Sequence, residues 1–179
     1  MEGLALLENE RGVFIELANR KRNRLKGYDY SQNGAYFITI CTEAKKKILS
    51  NIVGDGILDV PKNKLTEYGI IVKNAIEYIN KNNKDLIIDK YVIMPNHVHL
   101  IVMVSNGTSG MPSPTNKMNE IIPKFVSSLK RFVNKQIGHS IFQRSFHDHI
   151  IHNEADYKNI WLYIDNNPLK WELDCFYSK

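Results

Sequence analysis

Residues Leu86–Val104 read LIIDKYVIMPNHVHLIVMV, two largely apolar runs separated by Pro95 and Asn96. Both runs are rich in Ile, Val and Leu, which fit a pleated, covered surface. The Pro-Asn pair between them is turn chemistry. The segment predicts two strands joined by a tight turn, with helices packed against one face. The second strand carries His97 and His99, separated by one valine. On a strand, residues two apart share a face, so the two imidazoles stand together while Val98, Leu100, Val102 and Val104 line the other face and pack on helices.

The rest of the chain supplies the partners. GAYFITICT (Gly34 to Thr42) reads as a strand. KLTEYGIIVKNAIEYIN (Lys64 to Asn80) has helical apolar spacing through Leu65, Ile70, Ile71, Ala75, Ile76 and Ile79. The run Ser105 to Lys117 is rich in Gly, Ser, Pro, Thr and Asn and reads as a loop. MNEIIPKFVSSLKRFVNKQIG is a helix ending at Gly138, apolar through Phe125, Leu129, Phe132 and Val133 and basic through Lys124, Lys130, Arg131 and Lys135. QRSFHDHIIH reads as a strand, and Asn153 caps a last helix that runs to about Asn167, before Pro168. Its apolar stripe is Tyr157, Ile160, Trp161 and Ile164. The order of elements is β-α-β-β-α-β with an appended helix, the α+β ferredoxin-like arrangement of an antiparallel sheet. Helices on one face would leave the other free to build a site. Residues 1–27 are expected to be a basic N-terminal arm, with Lys21, Arg22, Arg24 and Lys26, and residues 28–179 a single domain.

A buried, unpaired imidazole is costly, so two adjacent ones call for a reason. Metal ligation is one, and oxygen ligands would have to complete the set for a hard cation. A second pair, His147 and His149, has the same spacing, with His152 three residues on. A zinc hydrolase or zinc-stabilised protein built from both pairs is therefore also open at this point. The balance of 24 Lys and Arg to 19 Asp and Glu, net +5, leans toward a polyanionic partner. Two distant cysteines, no apolar stretch of membrane-spanning length and an N-terminus unlike a signal peptide lead to the expectation of a soluble, cytoplasmic protein in a reducing compartment.

YVIMPNHVHLIV resembles the histidine–hydrophobic–histidine signature of single-tyrosine HUH endonucleases. With RLKGYDYSQNGAYFITICT and QRSFHDHIIHNEADYKNIWLYIDNNPLKWELD it is similar to the REP-associated tyrosine transposases, relatives of insertion-sequence transposases that act on single-stranded DNA. The resemblance spans Arg24 to Asp174. It implies the same ferredoxin-like fold, a nucleophile at Tyr163 in YIDNNP, and Asn167 as third ligand beside His97 and His99 for Mg²⁺ or Mn²⁺. It further implies cleavage and rejoining of DNA at hairpin palindromes through a 5′-phosphotyrosine intermediate. Arg22, Arg24, Lys26, Lys124, Lys130, Arg131 and Lys135 are then candidate contacts to the DNA backbone, with His149 and His152 as further DNA contacts. A catalytically silent DNA-binding descendant of such an enzyme is the alternative, and either a homodimer or a monomer fits.

Overall fold

A computed structural model of the chain describes residues 34–54, 61–104 and 121–177, with the backbone of Leu6–Glu8 (β1) and Phe14–Glu16 (β2), which pair antiparallel. The cationic residues Lys21, Arg22, Arg24 and Lys26 and the Ser105 to Lys117 stretch lie outside the described residues. The main sheet is formed by β3 (Gly34–Cys41), β6 (Leu86–Ile93), β7 (His97–Val104) and β8 (His147–Ile151), in the order β6-β7-β3-β8, all antiparallel. The helices are α1 (Glu67–Asn82), α2 (Ile121–Ile137) and α3 (Glu154–Asn166). The order of the four strands and two intervening helices is that of the predicted ferredoxin-like fold.

The core lies between one sheet face and the α1–α2 layer. Tyr36, Ile38 and Ile40 of β3 and Val98, Leu100 and Val102 of β7 meet Val72, Ala75 and Ile76 of α1 and Phe125, Val126, Leu129 and Val133 of α2. Each strand contributes alternate residues, as its two-residue period requires. Burying this apolar surface is the dominant favourable contribution to folding.

Two local predictions need correction. The first helix does not begin at Lys64. Lys62–Leu65 is a strand, β5, paired with β4 (Ser50–Val53), a ribbon the periodicity did not reveal. Thr66 ends it and caps α1, its side chain accepting from Gly69 N. Nor is the second sheet face left open. α3 lies over β6 and β7 there, and a short 3-10 turn, Pro168–Leu173, leads the chain on across the same side. Asn153 does cap α3, its side chain accepting from Asp156 N. Gly138, at φ +88°, ends α2 in the left-handed conformation that suits glycine.

Candidate metal and nucleophile site

The register of the sheet sets the site. His99 lies opposite Thr39 and His97 opposite Cys41, so both imidazoles project from the face turned away from the α1–α2 layer. Their ring centroids are 4.4 Å apart. Neither is solvent-exposed: His97 is 0% and His99 1% accessible. The cover comes from α3 and the C-terminal segment. Phe176 packs 4.8 Å from the His97 ring and 5.8 Å from His99, and Trp171 lies 6.0 Å from His97.

α3 brings two residues to this place because i and i+4 share a helical face. Tyr163 Oη lies 3.3 Å from His99 Nε2, and its ring meets Phe37 edge-on at 6.0 Å. Asn167, one turn further, is buried. The 3-10 turn after Pro168 then folds Asp174 back onto both. Tyr163 Oη donates to Asp174 Oδ2 at 3.0 Å and Asn167 Nδ2 donates to the same oxygen at 2.6 Å. Asp174 was not anticipated from the sequence. A spacing of seven matches a helical repeat, but Pro168 ends the α-helical pattern, so no regular period extends to Asp174 and the irregular 3-10 turn puts it here.

The electrostatics are those of a dry pocket. Burial pushes His97 down to about 4, against a partial opposing pull from Asp174, and burial together with His97 lowers His99. Both rings are therefore neutral and able to act as ligands at neutral pH. Burial and the adjacent Asp174 carboxylate raise Tyr163, so its phenol holds its proton. Among the described residues, ligand atoms of His97, His99 and Asp174 all lie within 4.8 Å of one another. Two buried atoms here have no hydrogen-bond partner, His97 Nε2 and Asn167 Oδ1. Leaving such atoms unpaired costs about 1–3 kcal/mol each. Two imidazole nitrogens, an amide oxygen and a carboxylate form a donor set that suits a divalent cation, and the orphaned atoms are the ones a cation would satisfy.

The other predicted residues are distributed differently. His147 and His149 share the histidine face, since His147 pairs with Thr39 and His149 with Phe37. Strand β3 lies between them and His99, a separation of about 10 Å at the usual strand spacing. They are absent from the cluster, so a centre combining both pairs is not formed. His149 Nε2 instead bonds Asp156 Oδ2 at 2.9 Å, and His152 is exposed nearby. Lys124, Arg131 and Lys135 are exposed on the outer side of α2, across the sheet from the histidines. Lys130 is tied down within the chain: its ammonium donates to the carbonyls of Gln143, Arg144 and Ser145 at 2.7, 3.2 and 2.9 Å and so links α2 to the approach to β8. Burial lowers it to about 8. Tyr157, half-buried, donates to Asp89, while Lys90 pairs with Asp165 at 2.7 Å and lies over Trp161, fastening α3 to β6. The side of α3 next to Tyr163 opens into a cleft of about 290 Å³ lined by Asn159, Leu162, Asn166, Lys170 and Leu173.

No protein-family model matches the chain. An uncharacterized protein of Haemophilus influenzae is 30% identical over 174 residues, covering 89% of this chain and 93% of that protein. Among solved structures, a REP-associated tyrosine transposase bound to a REP hairpin is similar with a TM-score of 0.55 and 20% identity, over 87% of this chain and 74% of that one. That second likeness is one of fold. No helix among the described residues is long and apolar enough to cross a membrane.

Proposed function

The chain belongs to one family with the Haemophilus influenzae protein and folds like a REP-associated tyrosine transposase, and from that premise we propose that it cleaves and rejoins single-stranded DNA at hairpin sites. One observation carries the reading: Tyr163 Oη meets His99 at the same place where His97 Nε2 and Asn167 Oδ1 are buried without partners. His97, His99 and Asn167 would hold Mg²⁺ or Mn²⁺, with Asp174 as a further oxygen donor. Such an ion, when bound, supplies neutralisation of charge on the non-bridging oxygens of a phosphodiester.

The chain's own groups do the rest. Tyr163 Oη bonds to phosphorus and the bond to the 3′-oxygen breaks, leaving a 5′-phosphotyrosine and, after protonation from solvent, a 3′-hydroxyl. Asp174 Oδ2, which accepts the phenol hydrogen bond, is positioned to receive its proton. The phosphodiester energy is kept in the adduct, so attack by another 3′-hydroxyl reverses the step and rejoins DNA. The related transposase is bound to a REP hairpin, which supports a hairpin as substrate here. Arg22, Arg24, Lys26, Lys124, Lys130, Arg131, Lys135, His149 and His152 are the proposed contacts to the DNA.

The test is incubation with single-stranded hairpin oligonucleotides and Mg²⁺ or Mn²⁺, followed by denaturing electrophoresis. A covalent adduct is expected from the wild type, none from Tyr163→Phe, and on the order of 100-fold less from His97→Ala. Adduct formation by Tyr163→Phe would assign the nucleophile elsewhere. The full burial of both histidines beneath Phe176 favours a second reading, a DNA-binding protein without cleavage. Hairpin binding with no adduct under either metal would select it.

A further inference from the structure

We infer that Asn96 is the positioning residue that makes His97 a metal ligand, by dictating which ring nitrogen carries the proton. The inference rests on the metal reading of the site and deepens it. Asn96 sits in the turn between β6 and β7, fully buried. Its main chain is pinned, its carbonyl accepting from Thr42 N at 2.9 Å and from Thr42 Oγ1 at 3.0 Å. Its side chain bridges two groups. Nδ2 donates to the Phe176 carbonyl at 2.8 Å, and Oδ1 lies 2.8 Å from His97 Nδ1.

A main-chain carbonyl only accepts, so the amide atom facing Phe176 must be the NH₂ group. That leaves Oδ1, which also only accepts, facing His97. The facing ring nitrogen, Nδ1, must therefore bear hydrogen. A neutral imidazole has one such hydrogen, so Nε2 is a bare lone pair. Nε2 is the buried atom with no partner in the protein. A chain of two hydrogen bonds thus runs from an acceptor-only carbonyl to a nitrogen prepared for a cation. His99 is arranged differently: its Nδ1 faces the Thr39 hydroxyl at 2.8 Å, and a hydroxyl can donate or accept. Thr39 orients that ring without choosing its tautomer, whereas Asn96 chooses.

The test uses the full-length protein and Mn²⁺, with the dissociation constant read by electron paramagnetic resonance of the free ion. Asn96→Leu, which removes the acceptor at similar size, is expected to weaken Mn²⁺ binding by about 10–100-fold, the usual cost of losing a partner that orients a metal-bound histidine. Asn96→Asp keeps an acceptor for Nδ1–H but drops the donor to Phe176, and it is expected to stay within about threefold of wild type. A residue that served only to hold the C-terminal segment would lose affinity equally in both variants, and that result overturns the inference. A measurement on the unaltered, metal-free protein avoids any folding defect: the long-range ¹H–¹⁵N spectrum of His97 should show the proton on Nδ1. A proton on Nε2 overturns the inference as well. Failure of the wild type to bind Mn²⁺ would instead overturn the metal reading beneath it, while wild-type binding with an unaffected Asn96→Leu would overturn the role of Asn96 alone.

Discussion

At the residue scale, the cost of burying His97 and His99 becomes a dependence on pH. In the folded protein His97 titrates at about 4, against an ordinary value of 6.5. The unfolded chain therefore binds a proton that the folded chain refuses between these values. The contribution of this group to stability is fully present above about pH 6.5 and is lost as pH drops toward 4, by on the order of 3 kcal/mol. His99 is shifted in the same direction and steepens the loss. Urea unfolding in chelator at pH 7 and pH 4.5 should show this acid loss, and His97→Leu should reduce it. An acid slope identical in His97→Leu would mean that other groups carry it. Lys130 presents the opposite case, a charge used for structure. Replacing it with Met strips three carbonyls of one donor, and an unfolding free energy lower by about 2 kcal/mol is expected from chemical denaturation.

At the element scale, the entry to α1 shows a local rule reversed by packing. Gly69 lies in the first turn of that helix, where alanine would ordinarily be favoured by up to about 1 kcal/mol. A Cβ there would stand 2.0 Å from the Leu49 carbonyl oxygen. That carbonyl also accepts from Thr66 N, so it cannot retreat without breaking the start of the helix. Gly69→Ala is therefore expected to destabilise by about 2 kcal/mol or more, measured as the shift of the urea midpoint at constant slope. A stabilised variant would show that α1 can slide relative to β4. The same kind of packing accounts for the boundary the periodicity placed too early. Leu65 continues the apolar spacing of α1, yet it pairs with Ser50 in the small ribbon.

At the scale of the whole molecule, the two sheet faces have separate tasks. The face toward α1 and α2 is filled with aliphatic side chains and supplies the core. The other holds both histidine pairs, with α3 and the C-terminal segment over the His97–His99 end. Ending the chain after Leu173 removes Asp174 and Phe176 but leaves Trp171 and the entire α1–α2 core. Such a protein should unfold cooperatively with a midpoint close to that of the full chain, while diethyl pyrocarbonate modifies His97 and His99 far faster. Unchanged modification rates would mean that α3 by itself seals the site.

What the sequence determined by itself follows from backbone periods. The two-residue repeat of a strand placed His97 and His99 on one face, and the Asn153 cap and Pro168 bounded α3. Those rules act over a few residues and survive into the fold. The convergence of the site was decided only by the tertiary structure. Asp174 reaches Tyr163 through a 3-10 turn that begins after Pro168 has ended the regular helical period. Asn96 looks like a plain turn residue until the Phe176 carbonyl orients its amide. Lys130 looks like a surface cation until three carbonyls close on it. In each case the role depends on groups from distant parts of the chain meeting where water is excluded. No local pattern encodes that meeting, because it arises from how the elements cross.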